Sequence, residues 1–426
     1  MPVADLLPEL RWRGMAQIVS DGLEGRLARG PIRAYVGIDP TGPSLHVGHL
    51  VQVFLLTHLQ RSGGIPVALV GGGTGMIGDP SGTSAERNLL DDAVLDRNRA
   101  AVREQLGRFL DFTPGPHAAV LLDNRAWLGE YRLLDFLREI GKHFTVAAML
   151  EKESVQQRLG GGLSFAEFAY QTLQATDYLV LHRDHGVDLQ MGGSDQWGNI
   201  AAGMDLIRRV EGRAEEAEPT VFGLCSPLLL NVQGQKMGKT AKGAVFLDAA
   251  LTSVYDFYQY AVGQPDELIG RLLRWLTLLP RERVEALEAE QAAHPEARAA
   301  QRAFAFDLTE RIHGRAAAER QVRVAAAAFG DAPLDDPDVL EELHAHADGF
   351  DFTAGQLGGG LVPFLVGSAL YRSNGEARRA IEQGGLRLND RRIGGSEEGI
   401  PPLLHDRWLV VRQGKRTVRV GRLTQG

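Results

Sequence analysis

Short apolar runs and longer amphipathic segments alternate along the first half of the chain. These runs are four or five residues long, and the first three are dominated by apolar side chains, a composition typical of buried strands. They are Ala34–Ile38, Val67–Val70, Ala118–Leu122 and Asp188–Met191. Segments with helical periodicity lie near residues 47–61, 95–111, 127–140, 164–183 and 196–211. This alternation predicts an α/β fold, with a parallel sheet covered by helices and a ligand site beyond the carboxyl ends of the strands.

The second half is organised differently. From about Thr252 to Phe329 the pattern is wholly helical, and a segment rich in Asp, Pro and Gly follows it. The last residues predict a small α+β unit, with a helix near 375–384, a turn at Asn389-Asp390 and two strand-like runs. The patterns predict four regions: residues 1–224 as the parallel-sheet domain, 225–330 as a lysine-rich loop with a helical domain, 331–358 as a linker, and 359–426 as the small α+β domain.

Composition restricts the class of protein. The chain has 426 residues, 44% of them apolar and 23% charged, which is typical of a globular protein with more than one domain. It contains no uncharged apolar run of about 18 residues, and its N-terminus lacks the features of a signal peptide. The single cysteine, Cys225, excludes an internal disulfide bond and a cysteine-based zinc site. We therefore expect a cytoplasmic protein with no membrane association and no bound metal.

Positive charge is distributed unevenly. The net charge is −8, yet residues 371–423 contain twelve Arg and Lys against six Asp and Glu. A basic C-terminal region predicts contact with a polyanion, although a solvated arginine-rich face would give the same count. Three of only six lysines fall between Lys236 and Lys242. Because the chain otherwise uses arginine, this segment indicates a need for a compact charge on a flexible stem.

Two histidines follow the first predicted strand directly. His46 and His49 are three residues apart, so they share one face of a helix that Ser44 could cap. Imidazole donors at the positive end of a helix suit a phosphate, and Gly48 between them leaves room for a flat ring. An isolated pair with this spacing is more often two surface histidines. The position of this pair, after a strand and a Pro-Thr-Gly-Pro turn, favours the phosphate site.

The segment Lys236-Met-Gly-Lys239-Thr240 superficially resembles a phosphate-binding P-loop. The match fails, because a P-loop requires glycine at the position of Gln233 and a strand immediately before it. We instead predict a mobile loop whose two lysines reach a triphosphate from one side. A solvated charged loop is the alternative.

Three further segments carry polar groups that suit a small ligand. Tyr170, Gln174 and Asp177 share one helix face, which indicates either a pocket wall or the polar side of an amphipathic helix. Asp79 follows a glycine-rich run and could bind an ammonium group, although a structural turn explains that run equally well. Asp195 follows the fourth predicted strand and suits the hydroxyls of a ribose.

These motifs together resemble a known family. PTGPSLHVGH (residues 40–49) is similar to the HIGH signature of class I aminoacyl-tRNA synthetases, and KMGKT (residues 236–240) to their KMSKS loop. Two such motifs in this order are far more specific than either alone. YVGIDPTGPSLHVGHL, GGTGMIGDPSG, SFAEFAYQTLQATDY and GGSDQWGNIAAG closely resemble bacterial tyrosyl-tRNA synthetases, and the tail from about Gly359 resembles an S4-type RNA-binding domain. The resemblance covers nearly the whole chain and implies a Rossmann-like catalytic domain.

The resemblance implies a role for each matching position. The tyrosine-binding set is Tyr35, Asp79, Asn124, Tyr170, Gln174, Asp177 and Gln196, with Tyr35 and Asp177 on the phenol. The ATP-binding set is Asp39, Thr41, His46, Gly48, His49, Gly193, Asp195 and Lys239. The residues expected to stabilise phosphate charge are Thr41, His46, His49, Lys236, Lys239 and Thr240. The residues expected to bind tRNA are Arg372, Arg378, Arg379, Arg387, Arg391 and Arg392. Val36 stands where some members have a cysteine that touches the ribose.

The implied reaction joins L-tyrosine to tRNA(Tyr) through a tyrosyl-adenylate. The tyrosine carboxylate needs no general base, so catalysis consists of positioning and of stabilising phosphate charge. ATP with its Mg²⁺ is implied as a substrate, no organic cofactor is implied, and the family implies a homodimer. Two alternatives remain: a tryptophanyl-type synthetase, and an RNA-binding protein with an inactive synthetase-like domain. The pair Tyr35 and Asp177 disfavours the first, and the intact signature residues disfavour the second.

Overall fold

A computed structural model describes residues 2–40, 42–79, 92–152, 155–156, 162–240, 243–329, 334–414 and 417–424, without the side chains of residues 92, 95, 239, 240 and 329. The chain divides into two compact units. The first consists of Met1–Thr252 and Gly263–Phe304, and the second of Ser253–Val262 and Ala305–Gly426. Within the described ranges, no helix is long and apolar enough to cross a bilayer.

A six-stranded sheet forms the centre of the first unit. Its strands are β1 (Ile18–Val19), β2 (Arg33–Ile38), β3 (Ile65–Val70), β4 (Val120–Asp123), β5 (Leu189–Gly193) and β6 (Phe222–Ser226). They lie in the order β1-β6-β5-β2-β3-β4, and every neighbouring pair except β1–β6 is parallel. β3 is buried at every position after its first, as parallel strands between layers of helices usually are. The predicted parallel α/β fold is confirmed.

The helices of the described residues cover each predicted helical segment, although the segment 127–140 is divided between two helices and several helices lie outside the predicted segments. They are α1 (Leu6–Arg13), α2 (Leu23–Ala28), α3 (Leu50–Arg61), α4 (Asp92–Leu106), α5 (Arg125–Leu128), α6 (Leu133–Glu139), α7 (Val146–Leu150), α8 (Phe165–His185), α9 (Trp197–Val210), α10 (Val254–Val262), α11 (Asp266–Leu276), α12 (Arg281–Ala293), α13 (Ala299–His313), α14 (Arg315–Phe329), α15 (Pro337–His346), α16 (Ala354–Gly358), α17 (Leu361–Gly367) and α18 (Asn374–Glu382). The wholly helical pattern between residues 252 and 329 corresponds to α10–α14.

Helix α8 carries three of the predicted site residues and is held at both ends. At its start, Ser164 and Glu167 form a capping box, in which each side chain accepts a hydrogen bond from the backbone N–H of the other residue. At its end, Gly186 adopts the left-handed conformation, with φ 63°. In between, the ring of Tyr178 packs edge-on against Tyr35 of β2, with centroids 5.4 Å apart. One face of α8 therefore joins the core of the sheet.

The second unit contains a five-stranded sheet in the order β11-β10-β12-β13-β9. Its strands are β9 (Phe350–Thr353), β10 (Leu386–Leu388), β11 (Arg391–Arg392), β12 (Trp408–Gln413) and β13 (Thr417–Thr424). β9 pairs with β13 in parallel, and the other pairs are antiparallel. The predicted turn at Asn389 and Asp390 is confirmed, since both residues have a positive φ between β10 and β11. The two-residue strands β7 (Lys239–Thr240) and β8 (Gly243–Ala244) form a separate hairpin in the first unit.

Residues 334–358, predicted as part of a linker, contain two helices, α15 and α16, with the strand β9 between them. Asp336 caps α15 by accepting a hydrogen bond from the N–H of Asp338 at 3.0 Å, and Pro337 occupies the first helical position. Phe350 and Phe352 of β9 alternate into the core. The same Asp, Pro and Gly residues that suggested a linker therefore start a helix and bound a strand.

The helical and C-terminal parts of the second unit share a core. Trp408 of β12 packs with Val324 of α14 and Leu340 of α15. A second cluster in the same unit joins Phe352 of β9 to Phe364 of α17. The four predicted regions therefore differ from the structural division, because apolar side chains join the tail to helices that precede it.

Candidate active site

A cavity of about 600 Å³ lies at the carboxyl ends of β2 and β5. The strand order reverses between these two strands, since β3 and β4 follow on one side and β6 and β1 on the other. Open α/β sheets bind ligands at such reversal points. The cavity wall includes the predicted residues Tyr35, Asp39, His46, Gly48, His49, Asp79, Asn124, Tyr170, Gln174, Asp177, Gly193, Asp195, Gln196 and Lys236. Thr41 lies outside the described residues, as do the side chains of Lys239 and Thr240.

Asp177 is the buried carboxylate of this wall. Its Oδ2 accepts a hydrogen bond from Asn124 Nδ2 at 2.8 Å, and its Oδ1 accepts one from Trp127 Nε1 at 2.8 Å. Burial raises the pKa of Asp177 to about 8, and the hydrogen bonds from Asn124 and Trp127 oppose that rise. Asn124 is fixed in turn, because its Oδ1 accepts from the N–H of Gly73 at 2.7 Å. Two positioned donors thus set the orientation of the carboxylate.

Two buried polar atoms of the wall make no hydrogen bond within the described part of the chain. They are the hydroxyl of Tyr35 and Oε1 of Gln190, which are side by side on β2 and β5. Burial, with the nearby charge of Asp177, raises the pKa of Tyr35, so its hydroxyl stays neutral and able to donate. An unpaired buried polar group is costly. This end of the cavity is therefore suited to a ligand that brings a polar group.

A chain of side-chain hydrogen bonds crosses another part of the wall. Gln196 Nε2 donates to Asp79 Oδ2 at 2.7 Å, and Gln174 Nε2 donates to Gln196 Oε1 at 3.2 Å. Asn199 Nδ2 donates to Gln174 Oε1 at 3.1 Å. The orientation of each side-chain amide is thus set by the next residue in this series of hydrogen bonds, which ends at the carboxylate of Asp79. A carboxylate beside amide oxygens suits an ammonium group.

Asp39 lies directly after β2 and brings a further carboxylate into the cavity. Its Oδ1 accepts a hydrogen bond from Thr74 Oγ1 at 3.0 Å, and its Oδ2 accepts one from the hydroxyl of Tyr170 at 3.4 Å. Burial raises the pKa of Tyr170, and the charges of Asp39 and Asp79 add to this effect. Tyr170 is therefore neutral over the physiological range and can act as a donor.

His46 and His49 stack on each other, with ring centroids 3.9 Å apart. His46 Nδ1 accepts from the N–H of Gly48, and His49 Nδ1 accepts from the N–H of His46, both at 3.1 Å. Because both Nδ1 atoms accept, each neutral ring carries its proton on Nε2, as a donor to phosphate requires. The prediction that Ser44 caps this turn is wrong, because His46 is the cap. The hydroxyl of Ser44 is engaged with helix α4 instead.

The two signature motifs touch each other through glycines. A Cβ on Gly48 would lie 2.8 Å from Met237 O and 2.8 Å from His46 Cε1. Gly238 has φ 109°, and a Cβ there would lie 2.8 Å from the N atom of Gly48. Only glycine fits at both positions without displacing the backbone. The KMGKT loop is therefore held against the histidine turn.

Lys236 extends from this loop to the far side of the cavity. Its Nζ lies 2.8 Å from Asp195 Oδ2, and half of the lysine side chain is exposed. Asp195 follows Gly193 at the end of β5, where the sequence predicted a group for ribose hydroxyls. Within the described ranges, no group of three His, Cys, Asp or Glu side chains is arranged to bind a metal ion.

Three wall or supporting residues were missed by the sequence analysis. Trp127 donates a hydrogen bond to Asp177, and Asn199 donates one to Gln174. Gln190 has a buried side-chain oxygen without a hydrogen-bond partner and pairs with Tyr35 across the two strands. Gln190 and Asn199 are the first and last residues of the run 190–199, in which the sequence analysis assigned roles to Asp195 and Gln196 but not to these two. No local spacing connects Trp127 to Asp177, so only the fold reveals that contact.

The six arginines predicted to bind tRNA all lie in the second unit and are exposed. Arg378 and Arg379 are on α18, Arg387 is on β10, and Arg391 and Arg392 form β11. Arg372 precedes α18. One of the six, Arg391, has an acidic partner, since its Nη2 lies 3.2 Å from Glu398 Oε2. An exposed basic group of this kind suits phosphate contacts.

Comparison with known proteins agrees with this site. The sequence-family model for tRNA synthetases class I (W and Y) matches residues 27–330 of the chain. The chain is 43% identical to the tyrosine–tRNA ligase of Cytophaga hutchinsonii over 97% of this chain and 98% of that protein. It is 44% identical to the tyrosine–tRNA ligase of Thermobifida fusca over 98% of this chain and 99% of that protein. A C-terminally truncated mitochondrial tyrosyl-tRNA synthetase from Aspergillus nidulans has a TM-score of 0.67 at 30% identity, over 75% of this chain and 92% of that one.

The fold and the site define a class I aminoacyl-tRNA synthetase of the tryptophan and tyrosine group. Within that group, the chain belongs to the tyrosine–tRNA ligase family. The family predicted from the signature motifs is confirmed. A tryptophanyl-tRNA synthetase from Encephalitozoon cuniculi shares the fold at 14% identity, a likeness that concerns the fold alone.

Proposed function

We propose that the protein activates L-tyrosine with ATP, releases pyrophosphate, and transfers the tyrosine to the 3′ end of tRNA(Tyr). The observation that carries this proposal is the composition of one cavity. A buried pair suited to a phenol, Tyr35 and Asp177, shares it with the histidine pair and with Lys236. Family membership supports the same reaction.

Tyrosine is bound at its two polar ends. Asp177 accepts the phenol hydrogen, and the hydroxyl of Tyr35 donates to the phenol oxygen. At the other end, the ammonium group binds Asp79 and Gln174, which the amide chain already orients. Hydrogen-bonding both ends of a buried ligand gives specificity, because a ligand that lacks either group leaves buried atoms unpaired.

In the first step, a tyrosine carboxylate oxygen attacks the α-phosphorus of ATP. A new O–P bond forms, the bond to the β-phosphate oxygen breaks, and pyrophosphate leaves with that electron pair. His46 and His49 donate from Nε2 to the phosphate oxygens, and the lysines of the KMGKT loop offset the growing charge. Asp195 binds ribose hydroxyls, and Mg²⁺ enters with ATP as part of that substrate.

In the second step, a hydroxyl at the tRNA 3′ end attacks the tyrosyl carbonyl, and AMP leaves. The exposed arginines of the second unit bind the tRNA backbone, which supplies affinity that depends strongly on salt. The substrates of this reaction are those of translation, so the cytoplasm is the expected compartment.

Pyrophosphate exchange into ATP tests the assignment directly. We expect tyrosine to support exchange, and phenylalanine and tryptophan to support it at least roughly tenfold to a hundredfold less, because each leaves buried groups unpaired. The same reaction without amino acid gives the background. Equal exchange with tryptophan would refute the tyrosine assignment. No exchange with any amino acid would indicate an RNA-binding protein with an inactive catalytic domain.

We also propose a homodimer in which α6 and the start of α8 are covered. Leu134 is 77% exposed and Phe165 is 78% exposed, and Leu133, Leu137 and Val146 are exposed as well. Large apolar side chains that are this exposed are typical of protein interfaces. A variant with both Leu134→Asp and Phe165→Asp should sediment as a monomer. Val232→Asp, at an exposed apolar residue outside this region, is the control and should leave the mass unchanged.

A further inference from the structure

The loop before the histidine pair is held by two buried amides of α4. Asn98 and Gln105 are seven residues apart, on one face of the helix, and each is only 4% exposed. Asn98 Nδ2 donates to Pro40 O at 2.8 Å, and Gln105 Oε1 accepts from the N–H of Leu45 at 2.8 Å. The two amides therefore hold both ends of residues 40–45. Neither belongs to the cavity wall.

Ser44 connects this attachment to the chain that follows the KMGKT loop. Its Oγ accepts from Gln105 Nε2 at 2.9 Å and from the N–H of Asp248 at 3.2 Å, and it donates to Leu45 O at 2.7 Å. The one hydrogen and the two lone pairs of the hydroxyl are all used. A buried network with every member satisfied is rigid, and it allows few alternative positions for the groups that it joins.

Main-chain hydrogen bonds continue the connection. The N–H of Val47 donates to Val245 O at 3.0 Å, and the N–H of Leu247 donates to Leu45 O at 2.9 Å. The N–H of Val245 donates to Gly238 O at 2.9 Å, within the KMGKT motif. Helix α4, the histidine turn and the KMGKT loop are thus linked through residues 44–47.

We infer that Asn98 and Gln105 are positioning residues for phosphate activation. They hold the loop that leads into the histidine pair. Through Ser44 they also fix the position of that pair relative to the KMGKT loop. This inference rests on the proposed function. Charge stabilisation on a phosphate requires donors placed to within a fraction of an ångström, and a misplacement of about 1 Å can lower a rate roughly a hundredfold. On α8, Gln174 and Asp177 are held by Gln196, Asn124 and Trp127 instead, and Tyr170 meets this region through a long hydrogen bond of 3.4 Å to Asp39. Tyrosine affinity should therefore change much less than the rate.

The chain provides a matched control on α3. Gln60 Nε2 donates to Asp111 O at 2.8 Å and to His117 O at 2.9 Å, and its Oε1 accepts from the N–H of Asp111 at 2.9 Å. Like Gln105, it is a glutamine that holds a loop through its side-chain amide, with three hydrogen bonds where Gln105 makes two. Gln60 is not part of the cavity wall, and its loop carries none of the predicted site residues.

The experiment compares Gln105→Leu and Asn98→Leu with Gln60→Leu in the full-length protein. Rapid-quench kinetics give the rate of tyrosyl-adenylate formation, and equilibrium titration gives the dissociation constant for tyrosine. We expect both α4 variants to form adenylate at least about tenfold more slowly while tyrosine affinity changes less than about twofold. The Gln60→Leu variant should keep both values.

A second substitution protects the test against misfolding. Gln105→Glu keeps the acceptor for Leu45 and loses the donor to Ser44, so an intermediate rate is expected. Wild-type rates in all three α4 variants, or parallel losses of rate and tyrosine affinity, would overturn the inference. Equal rate loss in Gln60→Leu would overturn it as well. Failure of the proposed function looks different, because the wild-type protein would then form no tyrosyl-adenylate.

Discussion

Replacing Asp177 with asparagine is expected to remove most of the preference for tyrosine over phenylalanine. In the wild-type site, phenylalanine leaves the hydroxyl of Tyr35 without a partner and removes the phenol hydrogen bond to Asp177, which keeps only its donors Asn124 and Trp127. An unpaired buried polar group costs about 1–3 kcal/mol, so the ratio of kcat/KM values should fall roughly tenfold to a hundredfold. In the variant, the NH₂ group of the new asparagine faces the side-chain N–H of Asn124 or of Trp127. Because both groups are donors, one hydrogen bond of the wild-type site is lost. Pyrophosphate exchange with the two amino acids measures the ratio.

Asp188→Asn is the matched control for this substitution. Asp188 precedes β5 and pairs with Arg26 at 2.8 Å, outside the cavity wall. Its replacement should leave the tyrosine-to-phenylalanine ratio unchanged. A ratio that stays at the wild-type value in Asp177→Asn would show that another group recognises the phenol.

The same variant reports on the pKa of Asp177. The folded pKa is about 8 and the ordinary value is 3.8, so the native state binds this proton more tightly than the unfolded state between these pH values. The free energy of unfolding of the wild type therefore receives a contribution that falls as pH rises from about 4 to about 8. Relative to the wild type, Asp177→Asn should gain stability across that window. Denaturant titrations at several pH values would show a constant difference if the carboxyl were not buried in this way.

Replacing the six exposed arginines of the second unit with glutamine is expected to abolish most tRNA charging and to spare tyrosine activation. The residues are Arg372, Arg378, Arg379, Arg387, Arg391 and Arg392. Each lost phosphate contact should make the salt dependence of tRNA affinity shallower by roughly one unit. At physiological salt, charging should fall at least about a hundredfold. Pyrophosphate exchange and tRNA charging over a salt series measure both effects on one protein.

Substitution is a better test here than deletion of the tail. Removing residues from Gly359 onward would take away Trp408 and expose Val324 and Leu340, so a loss of charging would have two explanations. Arg29→Gln with Arg61→Gln, at exposed positions of the first unit, provides the control. Charging with an unchanged salt slope in the six-residue variant would contradict the assignment of tRNA binding to this surface.

The sequence revealed those features that depend on near neighbours. Strands β2 to β4 were predicted because their apolar runs are short and bounded by turn residues, and β5 was predicted from the short segment Asp188–Met191 between two helical patterns. The strands β1 and β6 were missed. β1 has two residues, and β6 contains Gly223 and Ser226, so neither shows an apolar run. The linker was predicted from composition, which does not reveal that Asp336 and Pro337 start a helix.

The site shows the same limit. Groups a few residues apart on one element, such as Tyr170, Gln174 and Asp177, were placed together correctly, although their roles stay predictions. Contacts between distant segments were not visible. Trp127 meets Asp177 across 50 positions, and Gln105 meets Ser44 across 61. The two residues of such a pair lie on different strand–helix connections and become neighbours only when the sheet has formed. The local periodicity of the sequence carries no information about these contacts.

The ion pair between Lys236 and Asp195 has a consequence for how nucleotide enters. A ribose that binds Asp195 competes with Lys236 for the same carboxylate. The free energy needed to break this ion pair lowers the affinity for the nucleotide. The lysine side chain is 50% exposed and the aspartate side chain 23%, and exposed pairs contribute only about 0–1 kcal/mol. The resulting penalty on the ATP dissociation constant is therefore at most about fivefold. If the ribose binds Asp195 as proposed, its arrival frees the ammonium group of Lys236, which can then turn toward the phosphates.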